Sequence, residues 1–149
     1  MNKTNQVDQI MAIMESAFDP QWGEAWNRRQ VEDALLLPNT FAILNIDDGQ
    51  DETATGFLVT RHAPGEEELL LIAVDPKYRR KGAAQKMLSQ LMIDARSRGA
   101  SRIFLEMREN NPAKELYLSV GFEPIGRRRA YYLLSNGNRM DAITYALSI

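Results

Sequence analysis

The chain contains no cysteine. Disulfides, thiolate metal sites and a cysteine nucleophile are excluded at once. It has one histidine, His62, which gives poor support to a histidine-based zinc site or a Ser-His pair, so no metal is expected. Long apolar runs are missing as well. No stretch approaches the ~20 residues of a membrane span, and Met1 to Gln6 lacks the apolar core of a signal peptide. The expectation is a cytoplasmic protein with no membrane partner. Positive charge is not in excess: 18 Lys and Arg against 20 Asp and Glu leave a net charge of −2. General nucleic-acid binding, which draws its affinity from neutralised phosphates, is therefore not expected. Any local basic cluster needs a smaller, specific anion.

What is present suits an ordinary globular protein. At 149 residues, 44% hydrophobic and 26% charged, the chain reads as one domain over 1–149 with a core of its own. Its organising stretch runs from Glu68 to Gly99. Leu69 to Val74 is a continuous apolar run that suits a strand buried on both faces. Ala84, Met87, Leu88, Leu91, Met92 and Ala95 recur at helical spacing, and Arg96, Arg98 and Gly99 close that helix. Between strand and helix lie Arg79, Arg80, Lys81, Gly82, Ala83 and Ala84. Such a turn offers unpaired N–H groups, the positive end of a helix dipole and cationic side chains to an anion. It reads as a pyrophosphate site, against the alternative of a basic turn that merely needs a glycine.

The remaining elements follow in order. Val7, Ile10, Met11, Met14 and Ala17 mark a first helix ending at Asp19-Pro20. Asn27 with Gln30 forms a capping box for a second, which breaks at Pro38-Asn39. Strands are expected over Phe41–Ile46 and Gly56–Thr60, with a polar turn at Asp47–Asp51 between them, and over Arg102–Met107. Pro112 starts a short helix that ends near Ser119. Ile125–Tyr132 and Ala142–Leu147 form a hairpin around Asn136-Gly137-Asn138. Glu66-Glu67-Glu68 is expected to be a solvated turn, Arg127-Arg128-Arg129 a solvated strand edge, and His62 receives no role. The fold class is α/β, with a mixed central sheet flanked by helices.

Three motifs carry a family resemblance. Arg79 to Ala84 matches Arg/Gln-x-x-Gly-x-Gly/Ala. Leu105-Glu106-Met107-Arg108-Glu109-Asn110-Asn111-Pro112, with Leu116-Tyr117 and Gly121-Phe122, is the second. Arg127 to Tyr132 followed by Asp141-Ala142 is the third. Together they resemble the GCN5-related N-acetyltransferases (GNAT), and within them the branch that acetylates the amino-terminal alanine of a ribosomal protein. The resemblance is good over Ile72–Leu147 and loose over the first forty residues. It implies a GNAT-type fold and acetyl-CoA as co-substrate. Ile72, Ala73 and Val74 would hold the acetyl carbonyl and pantetheine arm, Arg79 to Ala84 the pyrophosphate, and Asn110 or Asn111 the arm from the other side. Here the segment after Glu106 is one residue shorter than in that branch, which leaves open which asparagine serves and how Glu106 is aimed.

Acetyl transfer to an amine needs a proton acceptor, an oxyanion donor, a donor for the thiolate and in-line placement. The resemblance makes Glu106 the general base, aided by desolvation at the end of an apolar strand, against a plain solvated carboxylate. It makes Tyr117 the general acid, against an aromatic packed on Leu116 and Phe122. Trp22, Trp26, Tyr131 and Tyr132 are candidate peptide walls, with core packing the better reading for the tryptophans. Leu133-Leu134 departs from the more polar residues of that branch. The acceptor is thus a protein or peptide N-terminus, with a polyamine, aminoglycoside or amino acid as the alternative and a non-catalytic acyl-CoA-binding module as the other.

Overall fold

The computed structural model describes residues 2–46 and 53–149. The polar turn expected at Asp47–Asp51 lies outside them. Helix α1 (Lys3–Ala17) starts at Asn2, whose side chain accepts the Asn5 N–H at 2.8 Å. Its buried stripe is Val7, Ile10, Ile13 and Met14, with Met11 only partly covered. Helix α2 (Arg28–Leu35) carries the expected capping box: Asn27 and Gln30 exchange backbone-to-side-chain bonds of 2.8 Å each way. Strands β1 (Thr40–Ile46), β2 (Ala54–Ala63) and β3 (Glu66–Val74) then form a meander. Helix α3 (Ala83–Ser97) leads to β4 (Arg102–Arg108), α4 (Lys114–Val120), β5 (Glu123–Leu133) and β6 (Arg139–Ser148). Among the described residues no helix is long and apolar enough to cross a membrane.

Six strands among the described residues form one sheet in the order β1-β2-β3-β4-β6-β5. β3 and β4 run parallel and the other neighbours antiparallel, so the sheet is mixed, as expected. One face packs on α1 and α2 through Phe57, Val59, Leu71 and Ala73. The other packs on α3 and Tyr117 of α4 through Leu58, Leu69, Ile103 and Leu105.

Two irregularities make the site. Val59 faces Leu71 and Thr60 faces Leu69, so Leu70 is an extra residue in β3. Leu69 therefore packs on the α3 side, Leu70 and Leu71 both on the α1 side, and Ile72 back on the α3 side. A bulge bends its strand. Pairing between β3 and β4 is confined to Glu66–Glu68 opposite Arg102–Phe104, and beyond Leu69 the two strands part.

Where they do pair, the sheet is pinned by a buried charge. Glu67 is fully buried. It accepts hydrogen bonds from Thr60 Oγ1 at 2.9 Å and from Arg98, through Nε at 3.1 Å and through Nη2, and its other partner is His62 Nδ1 at 2.9 Å. Arg98, at the C-terminus of α3, also covers the Phe41 ring at 3.9 Å. Burial pushes the Glu67 carboxyl up, but the bonds from Arg98, His62 and Thr60 outweigh it and hold the group below its ordinary value. Glu67 is thus no part of a solvated turn, and His62 has a partner. The charged triplet is a strand whose middle member points inward.

Candidate active site

Between the parted strands lies a cleft of about 860 Å³. Leu69 to Val74 of β3 line one wall, and Leu105 to Arg108 of β4 the other. The first turn of α3 closes one end, and Tyr117, Tyr132 and the segment 22–24 surround the other.

The α3 end offers free N–H groups and cations. Gly82 caps the helix at φ +81°, in left-handed backbone that favours glycine, and no side chain caps it. The helical ladder starts with Lys86 N–H bonded to Gly82 O at 3.0 Å. The N–H groups of Ala83, Ala84 and Gln85 precede that ladder, and all three residues line the cleft. Arg79 and Arg80 line it too, Arg79 tied by Nη2 to Ala17 O at 3.3 Å and Arg80 held at φ +64°. Lys81 stands apart from the other signature residues. It lies over the Tyr78 ring at 5.5 Å and, with Lys86, borders a small adjoining cavity of about 60 Å³.

At the opposite end Glu106 and Tyr117 both line the cleft. Glu106 sits opposite Thr144 on β6, whose Oγ1 donates to it at 3.4 Å, and Arg128 Nε lies 3.2 Å from the same oxygen. Its side chain is 21% exposed. Tyr117 is buried, its ring edge-on to Phe122 at 5.5 Å. Burial, and then the negative charge of Glu24, push its phenol well above the ordinary range, so the hydroxyl keeps its proton at neutral pH. Tyr132 follows the same logic: burial, with Glu106 and Glu24 behind it, raises it to about 12.

Two residues here carried no expectation, Glu24 and Arg108. Arg108 is buried at the end of β4. Its Nε lies 3.3 Å from Glu24 Oε1, its Nη1 donates to Asn110 Oδ1 at 2.6 Å, and its guanidinium stacks on the Trp22 ring at 4.0 Å. Burial raises the Glu24 carboxyl, and Arg108 opposes that rise. A signal for Arg108 existed: two residues after Glu106 on one strand, it shares that face. Glu24 had only its place between two tryptophans. Trp22 therefore packs on a cation at the cleft, while Trp26 packs on the α1 side of the core and also reaches the cleft.

The two asparagines separate. Asn111 lines the cleft, and its Oδ1 accepts the Ala113 N–H at 2.9 Å, shaping the entry to α4. Asn110 is engaged with Arg108 and does not line the cleft.

The family model described as Acetyltransferase (GNAT) family matches residues 7–122. The chain belongs to that family. GNAT enzymes use acetyl-CoA as co-substrate, and this GNAT chain is an N-acetyltransferase. It is 36% identical over 114 residues to the [ribosomal protein bS18]-alanine N-acetyltransferase of Haemophilus ducreyi, covering 75% of this chain and 79% of that one. It is 38% identical over 107 residues to the protein of the same name from Escherichia coli strain K12, covering 71% and 72%. The crystal structure of the ribosomal-protein-S18-alanine N-acetyltransferase from Escherichia coli superposes with a TM-score of 0.83 at 29% identity. That superposition covers all of this chain and 90% of the other.

Proposed function

We propose that this GNAT chain acetylates the terminal α-amine of a protein, with the amino-terminal alanine of ribosomal protein bS18 as the acceptor. What supports this most is one cleft bringing Glu106 and Tyr117 together, in a chain 36% and 38% identical to enzymes of that name. In this reading residues 1–149 act as one cytoplasmic N-acetyltransferase domain.

The acetyl-CoA pyrophosphate rests on the first turn of α3, against the N–H groups of Ala83, Ala84 and Gln85 and the cations of Arg79 and Arg80, with Lys81 set apart beside Tyr78. The pantetheine arm runs between the parted strands along Ile72, Ala73 and Val74, with Asn111, rather than Asn110, on its other side. Glu106 takes a proton from the acceptor ammonium, directly or through a water. The freed nitrogen lone pair attacks the thioester carbonyl carbon, and β3 N–H groups stabilise the oxyanion. As the tetrahedral intermediate collapses, the nitrogen gives its second proton to water and the C–S bond breaks; Tyr117 donates a hydrogen bond to the departing sulfur, which takes its proton from water. The products are the N-acetyl peptide and free CoA. Trp22, Tyr131 and Tyr132 stand beside the acceptor.

The test is a thiol-release assay with acetyl-CoA and three acceptor classes: a peptide beginning in alanine, a polyamine, and an aminoglycoside or free amino acid. The reading expects kcat/KM for the peptide to exceed the others at least about tenfold, which is ~1.4 kcal/mol of discrimination. A preference for a small amine would move the enzyme to that substrate class. Binding of acetyl-CoA with no turnover of any amine would leave a non-catalytic acyl-CoA module.

A further inference from the structure

The acceptor side of the cleft is shaped by an unusual break in the β5–β6 hairpin. Arg128 lies opposite Ala142 and Tyr132 opposite Met140. Three residues of β5, Arg129, Ala130 and Tyr131, therefore face Asp141 alone, where an ordinary bulge sets two against one. At the centre Ala130 has φ +51°, the left-handed conformation that a residue with a Cβ adopts only at a cost.

Asp141 holds that conformation in place. Its Oδ1 accepts the Ala130 N–H at 2.8 Å, and its Oδ2 accepts from Arg127 Nη1 at 2.6 Å. The same Arg127 nitrogen reaches Glu109 Oε2 at 3.0 Å. The Ala130 N–H first, and Arg127 second, keep the Asp141 carboxyl below its ordinary value, so it stays charged for this work.

The register explains what the bulge achieves. Continued regularly from Arg128 opposite Ala142, the strand would bring Tyr132 opposite Asn138, two residues before Met140 and just ahead of β6. That is ~7 Å away from the cleft. The extra residues draw Tyr132 back. Its half-buried side chain lines the cleft, its ring meets Tyr131 edge-on at 5.2 Å, and Arg128 covers Tyr131 at 5.1 Å while its Nε lies 3.2 Å from Glu106.

We propose that Asp141 is a positioning residue for the acceptor amine: by pinning the strained bulge at Ala130 it brings Tyr132 to the Glu106 side of the cleft, where Arg128, in register ahead of the bulge, already stands. This rests on the reading of Glu106 as the group that meets the acceptor.

Three variants test it with the alanine peptide as acceptor. Asp141→Ala removes the anchor and is expected to raise the acceptor KM about tenfold, the share of one charge-assisted hydrogen bond. The acetyl-CoA Kd, set at the far end of the cleft, should stay within about twofold of the wild type, well inside that same tenfold scale. Asp141→Ala combined with Ala130→Gly should recover part of the loss, because glycine adopts the left-handed conformation without the anchor. Ala130→Pro keeps Asp141 and every buried side chain but removes the N–H and forbids φ +51°. At an exposed position on an edge strand it should fold and should raise KM as Asp141→Ala does, so it carries the test if Asp141→Ala is too unstable to assay. An unchanged acceptor KM in Asp141→Ala or in Ala130→Pro overturns the proposal. So does an acetyl-CoA Kd that rises in step with KM, or a double variant no better than Asp141→Ala. A wild-type chain that turns over no amine overturns the proposed function and this inference together, whereas an active wild type with unmoved variants overturns the inference alone.

Discussion

Arg128 Nε and Thr144 Oγ1 converge on one carboxylate oxygen of Glu106, at 3.2 and 3.4 Å. The candidate base thus already holds a cation where an acceptor ammonium is expected to arrive. Arg128 is 64% exposed, and an ion pair so open to water contributes little and exchanges readily.

Glu106→Gln should therefore lower turnover by ~10²–10⁴, the usual share of general-base catalysis. It should leave acetyl-CoA affinity untouched. Single-turnover rates and calorimetry check this. A turnover identical to the wild type would mean that the amine arrives already neutral and that Glu106 is structural.

Tyr117→Phe should slow acetyl transfer without weakening acetyl-CoA binding, since the hydroxyl is wanted only as sulfur leaves. The burial that keeps the phenol protonated also makes it a reluctant acid. Full transfer to a thiolate whose conjugate acid has a pKa of ~8.5 is uphill. The hydroxyl's work is then mainly a hydrogen bond to the developing charge, and the loss should fall near ~10², the lower end for such a group. Equal falls in affinity and turnover, measured by calorimetry and single turnover, would make Tyr117 a cofactor contact instead.

Gly82→Ala should weaken acetyl-CoA about tenfold and lower the Tm by a few degrees, about 2–4 °C for each kcal/mol of strain. Among protein atoms a Cβ at Gly82 would meet only Gln85 Oε1, at 3.7 Å. The cost lies in the backbone: φ +81° is charged ~1–2 kcal/mol once a Cβ is present. Undiminished affinity by calorimetry would remove the pyrophosphate from this turn.

Glu67→Gln should destabilise the fold by about 3 kcal/mol at neutral pH, the low end for breaking a buried ion pair because Arg98 keeps some solvent. The Glu67 carboxyl lies below its ordinary value of 4.5 in the folded chain. Its stabilisation is therefore complete above that pH and is lost as pH falls through the lower folded value. Urea melts of the wild type should weaken on acidification more steeply than those of the variant. Parallel curves would assign Glu67 no net charge interaction.

Local chemistry made much of this legible. The Asn27–Gln30 box, the apolar run of β3, the glycine at the head of α3 and the Asn136–Asn138 turn each declare themselves within a few residues. What stayed hidden depends on partners far along the chain. Glu67 looks solvated until Arg98, 31 residues on, folds over it. Glu24 acquires its meaning from Arg108, 84 residues away. The break in β5 has no glycine to announce it, because Asp141 supplies the restraint from the neighbouring strand. In each case the sequence shows a charge but not the charge it meets.

The extra residue at Leu70 carries a consequence for mutational tolerance. Along an ordinary strand, positions that refuse charge alternate with positions that accept it. In β3 the alternation must skip a beat, because Leu70 and Leu71 lie against the same core while Leu69 and Ile72 lie against the opposite one. A saturation library should find four successive positions hostile to charge, each for its own face. A single-residue deletion there would restore regular pairing of β3 with β2, and every residue beyond it would change the core it faces.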